Sequence, residues 1–219
     1  MIKQLIINNK KSFDDFDVYI GGRTISNPKK KSIKESIPFS DIVYDFSKLD
    51  GDIHWEERTL QYEFDIAEIS TDLMEVAKTK LVDWLLNVHD TDIYDPYIGD
   101  YHYHGSYDSD SWSENFEAGT IKVKFSVYPF KIANEPRVET FNLTSGNNSI
   151  SILNNSSHRI VPKITSTGSA TITIGDNVYS MGTGEYEDDD LKLEQGSNEW
   201  VVNVSSDSTL TIEFVEEVF

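Results

Sequence analysis

The sequence predicts a mainly β protein with one α-helix, followed by a second domain of antiparallel sheets packed face to face. Three observations carry this. IHWEERTLQYEFDIAEIS and GTIKVKFSVYPFKI alternate apolar and polar residues, the period of a half-buried strand. TDLMEVAKTKLVDWLLNV repeats its apolar residues every three or four positions, the period of a helix. Beyond Ala133-Asn134-Glu135-Pro136 charged residues thin out, Ser, Thr, Asn and Gly increase, and short strands recur between glycine-bearing turns. The expected domains are therefore residues 1–134 and residues 135–219.

In the first domain, Lys3 to Asn8 reads as a strand, and Asp17 to Ile20 as a short one ending at a Gly21-Gly22 turn. ISNPKKKSIKESIP reads as a loop or hairpin tip, and FSDIVYDFSK as a strand broken at Gly51-Asp52. Leu60, Tyr62, Phe64 and Ile66 share one face of the next strand. A helix is expected over Thr71 to Val88, with Leu73, Val76, Ala77, Leu81, Trp84, Leu85 and Val88 as its apolar stripe. Thr71 or Asp72 would cap it, with Glu75 completing a capping box. Ile121, Val123, Phe125 and Val127 share a face of a later strand, with Lys122 and Lys124 on its solvated side.

The second domain reads as the strands RVETFNL, SISILN, IVPKITST, SATITIG, NVYSM, LKLEQ, EWVVNVS and STLTIEFV. Trp200 lies in an alternating run and is assigned to the core.

Composition narrows the chemistry. The 219 residues contain no cysteine, so disulfides, thiolate catalysis and cysteine-bound zinc are excluded. The formal net charge of −19 repels phosphate backbones and argues against a nucleic-acid partner. The N-terminus lacks the apolar core of a signal peptide, and no run approaches a membrane span of about 18 apolar residues. Synthesis in a cytoplasm, without a membrane partner, is the expectation.

DYHYHGSYDSDSW holds two of the five histidines. In a strand, His102 and His104 would share one face and Tyr101 and Tyr103 the other. Two histidines are the start of a metal site, with Asp108 or Asp110 as possible further ligands. Gly105-Ser106 reads as a turn that separates these acids from the pair, so an aromatic hairpin without metal is the assignment. The acidic runs DSDSWSENFE and YEDDDLKLEQ miss the ligand spacing of a calcium loop. No nucleophile elbow, phosphate-binding loop, dinucleotide fingerprint or metalloprotease motif occurs, so neither an enzyme nor a cofactor is expected.

The order of these features resembles a known family. The pieces that carry the resemblance are WEERTLQYEFDI with its alternating run from Arg58 to Ile66, the single helix, the Asp/Tyr-rich hairpin, YPF at Tyr128 to Phe130, and the segment from Asn154 to Pro162. The chain is similar along its whole length to the distal tail proteins of long, flexible-tailed phages of Gram-positive hosts. It departs from them at Ser156-Ser157-His158, where members often carry glycine.

The resemblance implies a virion component assembled in the host cytoplasm. Its N-terminal domain would close a homo-hexameric ring joining the tail tube protein to tail-tip or baseplate proteins, and in some members the outer domain docks receptor-binding proteins. Its C-terminal domain would be a galectin-like β-sandwich outside the ring. Candidate subunit contacts are Lys29, Lys30, Lys31, Lys34, Tyr101, Tyr103 and Trp112. The alternative is a cell-surface carbohydrate-binding module, with Tyr179 and Tyr186 as stacking candidates. Charge is uneven: residues 135–219 carry 14 acids against 4 bases, and residues 1–134 carry 24 against 15. The lysine cluster would meet acidic surface and steer assembly.

Overall fold

The structure is a computed structural model that describes residues 2–48, 51–66, 71–114 and 118–219. The chain divides into two compact units, Met1–Lys131 with Phe219, and Ile132–Val218.

The first unit is built on an antiparallel sheet. Its strands are β1 (Ile6–Ile7), β2 (Lys10–Lys11), β3 (Tyr19–Ile25), β6 (Arg58–Ile66), β7 (Thr91–Tyr94), β8 (Tyr101–Glu114) and β9 (Gly119–Val127), after the separate strands β4 (Lys34–Ser36) and β5 (Val43–Asp45). The order across the sheet is β2-β1-β7-β8-β9-β6-β3. The alternating patterns set the register. Leu60 faces Phe125, Tyr62 faces Val123 and Phe64 faces Ile121, and all six are buried. Lys122 and Glu63 pair at 2.8 Å on the opposite, solvated face.

The helix α1 (Thr71–Leu85) covers the apolar face, with Met74, Leu81, Trp84 and Leu85 in the core and Val88 just beyond its end. The expected stripe is rotated at its N-terminal end. Met74 is buried, whereas Leu73 and Val76 are exposed, because the face set by Met74, Ala77, Leu81 and Trp84 places them on its solvent edge. Glu75 pairs with Lys78 at 3.1 Å. The side chain of Thr71, and residues 67–70 and 115–117 of the predicted segments, lie outside the described residues.

Two glycine sites correct the expected turns. β3 runs through Gly21-Gly22 with a bulge, and a Cβ on Gly21 would strike the Asp65 carboxylate. Likewise β8 runs straight through Gly105-Ser106. A Cβ on Gly105 would overlap the Ser126 carbonyl oxygen and the Val127 backbone, so this glycine permits close strand approach rather than a turn.

The strand β10 (Lys131–Ala133) leads into the second unit, where it pairs with β19 (Glu217–Val218). Two four-stranded sheets follow, made from β11 (Arg137–Leu143), β12 (Gly146–Asn154), β13 (Lys163–Ser166), β14 (Ala170–Ile174), β15 (Asn177–Met181), β16 (Gly184–Glu187), β17 (Gly196–Val204) and β18 (Ser208–Phe214). One runs β11-β18-β13-β16, the other β12-β17-β14-β15. Both supply one core, with Ile164, Leu210 and Ile212 from the first and Ile150, Ile172, Trp200 and Val202 from the second.

The paired strands β12 and β17 open on the same device. Asn148 and Asn198 each reach back across a positive-φ glycine to the backbone of Thr144 and Glu194. Each side chain donates and accepts there, so it pins a turn that lacks a helix or sheet partner. LKLEQ is not a strand. Asp189–Leu191 is a 3₁₀ turn capped by Asp188, and Leu193 makes a single bridge to Ile160. Among the described residues no helix is long and apolar enough to cross a membrane.

Candidate functional site

Two regions of the first unit hold the predicted histidines, lysines and most of the predicted aromatic residues, and a third gathers buried charge that the sequence did not single out. The first is the start of β8. Antiparallel pairing sets His104 opposite Asp92 on β7. His104 Nδ1 lies 2.8 Å from Asp92 Oδ1, and Nε2 lies 3.0 Å from Asp90 Oδ1. A neutral imidazole has only one N–H to donate, so carboxylates at both nitrogens select the doubly protonated ring. Its pKa is raised, first by Asp92, with Asp90 adding to it. His102 Nε2 stands 3.4 Å from the same Asp92 oxygen, so the two histidines share a face as alternation requires.

The acids beside the pair are thus Asp90 and Asp92, not the expected Asp108 and Asp110. Tyr107 O–H donates to Asp110, and burial followed by that carboxylate pushes the phenol up to about 12. Asp108 accepts from Ser109 at 3.0 Å. Among the described residues no group of three or more His, Asp or Glu side chains is arranged to hold a metal ion.

The aromatic candidates separate. Tyr103 is a buried core residue beneath the Arg58 guanidinium, so it cannot present itself to another subunit. Alternation explains this correction, since Tyr103 lies on the core face of the sheet. Tyr101 is half-buried, with Lys131 Nζ 6.0 Å from its ring centre. Trp112 is half-buried opposite Ile121, bonds Glu114 through its indole N–H at 2.8 Å, and carries Lys78 over its ring. In the second unit Tyr179 and Tyr186 both pack against the core, and the Tyr186 hydroxyl accepts the Gly182 N–H at 2.8 Å.

The second region is the arm made by β4 and β5. These strands pair with each other in a separate two-stranded sheet. Lys29, Lys30, Lys31 and Lys34 are exposed along it. Lys30 bridges the backbone of Trp55 and lies over its ring, and Lys34 reaches Asp45 at 3.9 Å across the hairpin. The apolar residues are exposed too: Ile33, Ile37, Phe39, Ile42, Val43, Tyr44 and Phe46. Phe39 is fully exposed at the tip in a left-handed conformation, φ 66°. Sequence reading missed this surface, because the bare apolar residues lie mostly beside the two short strands and in the loop between them, and follow no period.

The third region brings together residues of β3 and β6 and the residue that follows β7. Asp95, just after β7, is buried, accepts the Tyr62 O–H at 2.5 Å and stands 2.7 Å from Arg23 Nε. Burial, then Asp95, raises the Tyr62 pKa well above its ordinary value.

No protein-family profile matches the chain, and no curated protein is similar to it in sequence. Among solved structures, the SPP1 Dit (gp 19.1) protein, described as a paradigm of the hub adsorption apparatus in phages infecting Gram-positive hosts, superposes with a TM-score of 0.70 over 100% of both chains at 14% identity. The chain shares the SPP1 Dit fold. A chain of the phage P2 baseplate in its activated conformation with Ca is similar at a TM-score of 0.42 and 9% identity, over 98% of both chains.

Proposed function

We propose that this chain is a structural, non-enzymatic subunit of a phage tail tip. Six copies close into a ring that joins the tail tube to the tip or baseplate proteins and, through them, to the adsorption apparatus. The full-length likeness to SPP1 Dit supports this reading. The observation that carries it is the arm. Seven apolar side chains from Ile33 to Phe46 stand exposed on a hairpin whose two strands pair only with each other among the described residues. Such a patch is costly in water and is expected where another chain covers it. The four exposed lysines along the arm would steer it to the acidic surface of a neighbour.

The alternative, carbohydrate binding by the second unit, has less support. Tyr179 and Tyr186 are partly buried against the core of that unit.

Light scattering after size exclusion tests the proposal. Six copies of 25.0 kDa make 150 kDa. A species of that mass, or twice it for stacked rings, is the expected result. A strict monomer at every concentration would contradict self-assembly of the isolated chain.

A further inference from the structure

In the first unit Arg23 pairs with the buried Asp95, while Arg58, Lys131 and Lys3 lie over the rings of Tyr103, Tyr101 and Tyr97. Asp95 is engaged through both oxygens: Oδ2 takes the Tyr62 O–H and stands beside Arg23 Nε, and Oδ1 accepts the Tyr97 N–H at 2.9 Å. The Arg23 contact is an ion pair by proximity rather than an aligned hydrogen bond. Arg58, the first residue of β6, is 5% exposed, with its guanidinium 4.8 Å from the Tyr103 ring centre. Its Nε and Nη2 are buried and have no hydrogen-bond acceptor among the described residues. Those two N–H groups form the edge of the guanidinium that grips a carboxylate with two parallel bonds.

The neighbours add charge instead of cancelling it. Burial, then Arg23, holds Arg58 below its usual pKa, with Tyr103 opposing. Burial, then Arg58 and Arg23, lowers that of Lys131. At the rim, Lys3 Nζ lies 3.9 Å and the Arg23 guanidinium 5.2 Å from the centre of the exposed Tyr97 ring. This positive patch belongs to a chain of net charge −19. Copies of such a chain repel, so their association needs local surfaces of opposite sign.

We propose that Lys3, Arg23 and Lys131, around Tyr97 and Tyr101, form a carboxylate-accepting contact surface for a second copy of this chain, with Arg58 as its buried positive floor. The proposal rests on the ring reading above. A second copy is the fitting partner because the chain carries 38 acids against 19 bases, so its surface is rich in the required group. An incoming carboxylate pairs with the rim cations and relieves a charge that Asp95 alone leaves uncompensated.

The test is assembly of the full chain by light scattering across concentration, in salt of about 0.1 M and about 1 M, where the Debye length falls from ~10 to ~3 Å. Lys3→Glu with Lys131→Glu should raise the concentration for half-assembly by ~10-fold or more in the lower salt and by under ~3-fold in the higher. Lys80→Glu with Lys192→Glu makes the same change in net charge and should have a much smaller effect. Arg58→Met, which replaces the buried cation with an apolar side chain, should weaken assembly without lowering the melting temperature of the monomer. If wild type assembles and neither the rim variant nor Arg58→Met differs from it, the patch is refuted and the ring reading stands. Equal weakening by the control pair would reduce the effect to net charge and also refute the patch. A wild type that stays monomeric at every concentration would refute the patch as a self-association surface and contradict self-assembly of the isolated chain.

Discussion

Replacing Asp95 with Asn keeps the shape of the side chain and removes the one carboxylate that the structure pairs with Arg23. The Asp95 side chain is fully buried, whereas Arg23 keeps 23% of its side-chain surface. Breaking a buried ion pair by removing one partner costs about 3–5 kcal/mol, and the remaining solvent contact of Arg23 places this case near ~3 kcal/mol. Arg58, which gains nothing from hydrogen bonds at Nε and Nη2, then feels Arg23 without its counter-charge. Against a total stability of about 5–15 kcal/mol, the loss is large. For a unit of this size it should lower the melting temperature by roughly 10 °C. Urea denaturation of wild type, Asp95→Asn, Arg58→Met and the double variant measures it. Arg58→Met should recover part of the loss, because removing a second cation lessens the need for the carboxylate. A cost under about 1 kcal/mol for Asp95→Asn, or strict additivity in the double variant, would refute the electrostatic account.

The pH dependence follows from His104, whose folded pKa is raised above the ordinary 6.5. Its contribution is fully present below about pH 6.5 and is lost as pH rises through the higher folded value. The melting-temperature gap between wild type and His104→Gln should therefore be larger at pH 6 than at pH 9, and a gap independent of pH would count against the Asp90–His104–Asp92 contact. In the arm, Phe39→Ser with Ile42→Ser should leave monomer stability within about 0.5 kcal/mol, since both side chains are already exposed, while abolishing assembly. Loss of monomer stability, read by thermal unfolding, would place them in a core instead. Gly105→Ala should cost about 2–3 kcal/mol by overpacking against backbone that cannot retreat, and a neutral effect in the same unfolding assay would show that β8 and β9 can separate there.

The parts of the fold that were legible in the sequence are those with one wet face and one dry face. Leu60 to Ile66 and Ile121 to Val127 announce themselves by alternation, and the same rule put Trp200 in the core of the second unit. The helix was legible in extent, but the phase of its first turn was not: Met74 and Leu73 are equally apolar, and only the packed sheet decides which is buried. The strand β16 (GEYE) went unseen because its side chains carry no apolar alternation; it exists by pairing with β13. Gly21 and Gly105 read as turns because glycine marks both turns and close approaches. The candidate sites were harder still. Asp92 meets His104 only through strand register, and Arg23, Arg58 and Asp95 come from three separate segments. Sequence order holds no trace of that meeting.

Ring closure is tested most directly by electron-microscopic class averages of the purified chain. The expected result is a particle with six-fold symmetry around a central opening, present for wild type and absent for the Phe39→Ser, Ile42→Ser variant. Particles without rotational symmetry at concentrations where wild type should be assembled would contradict it.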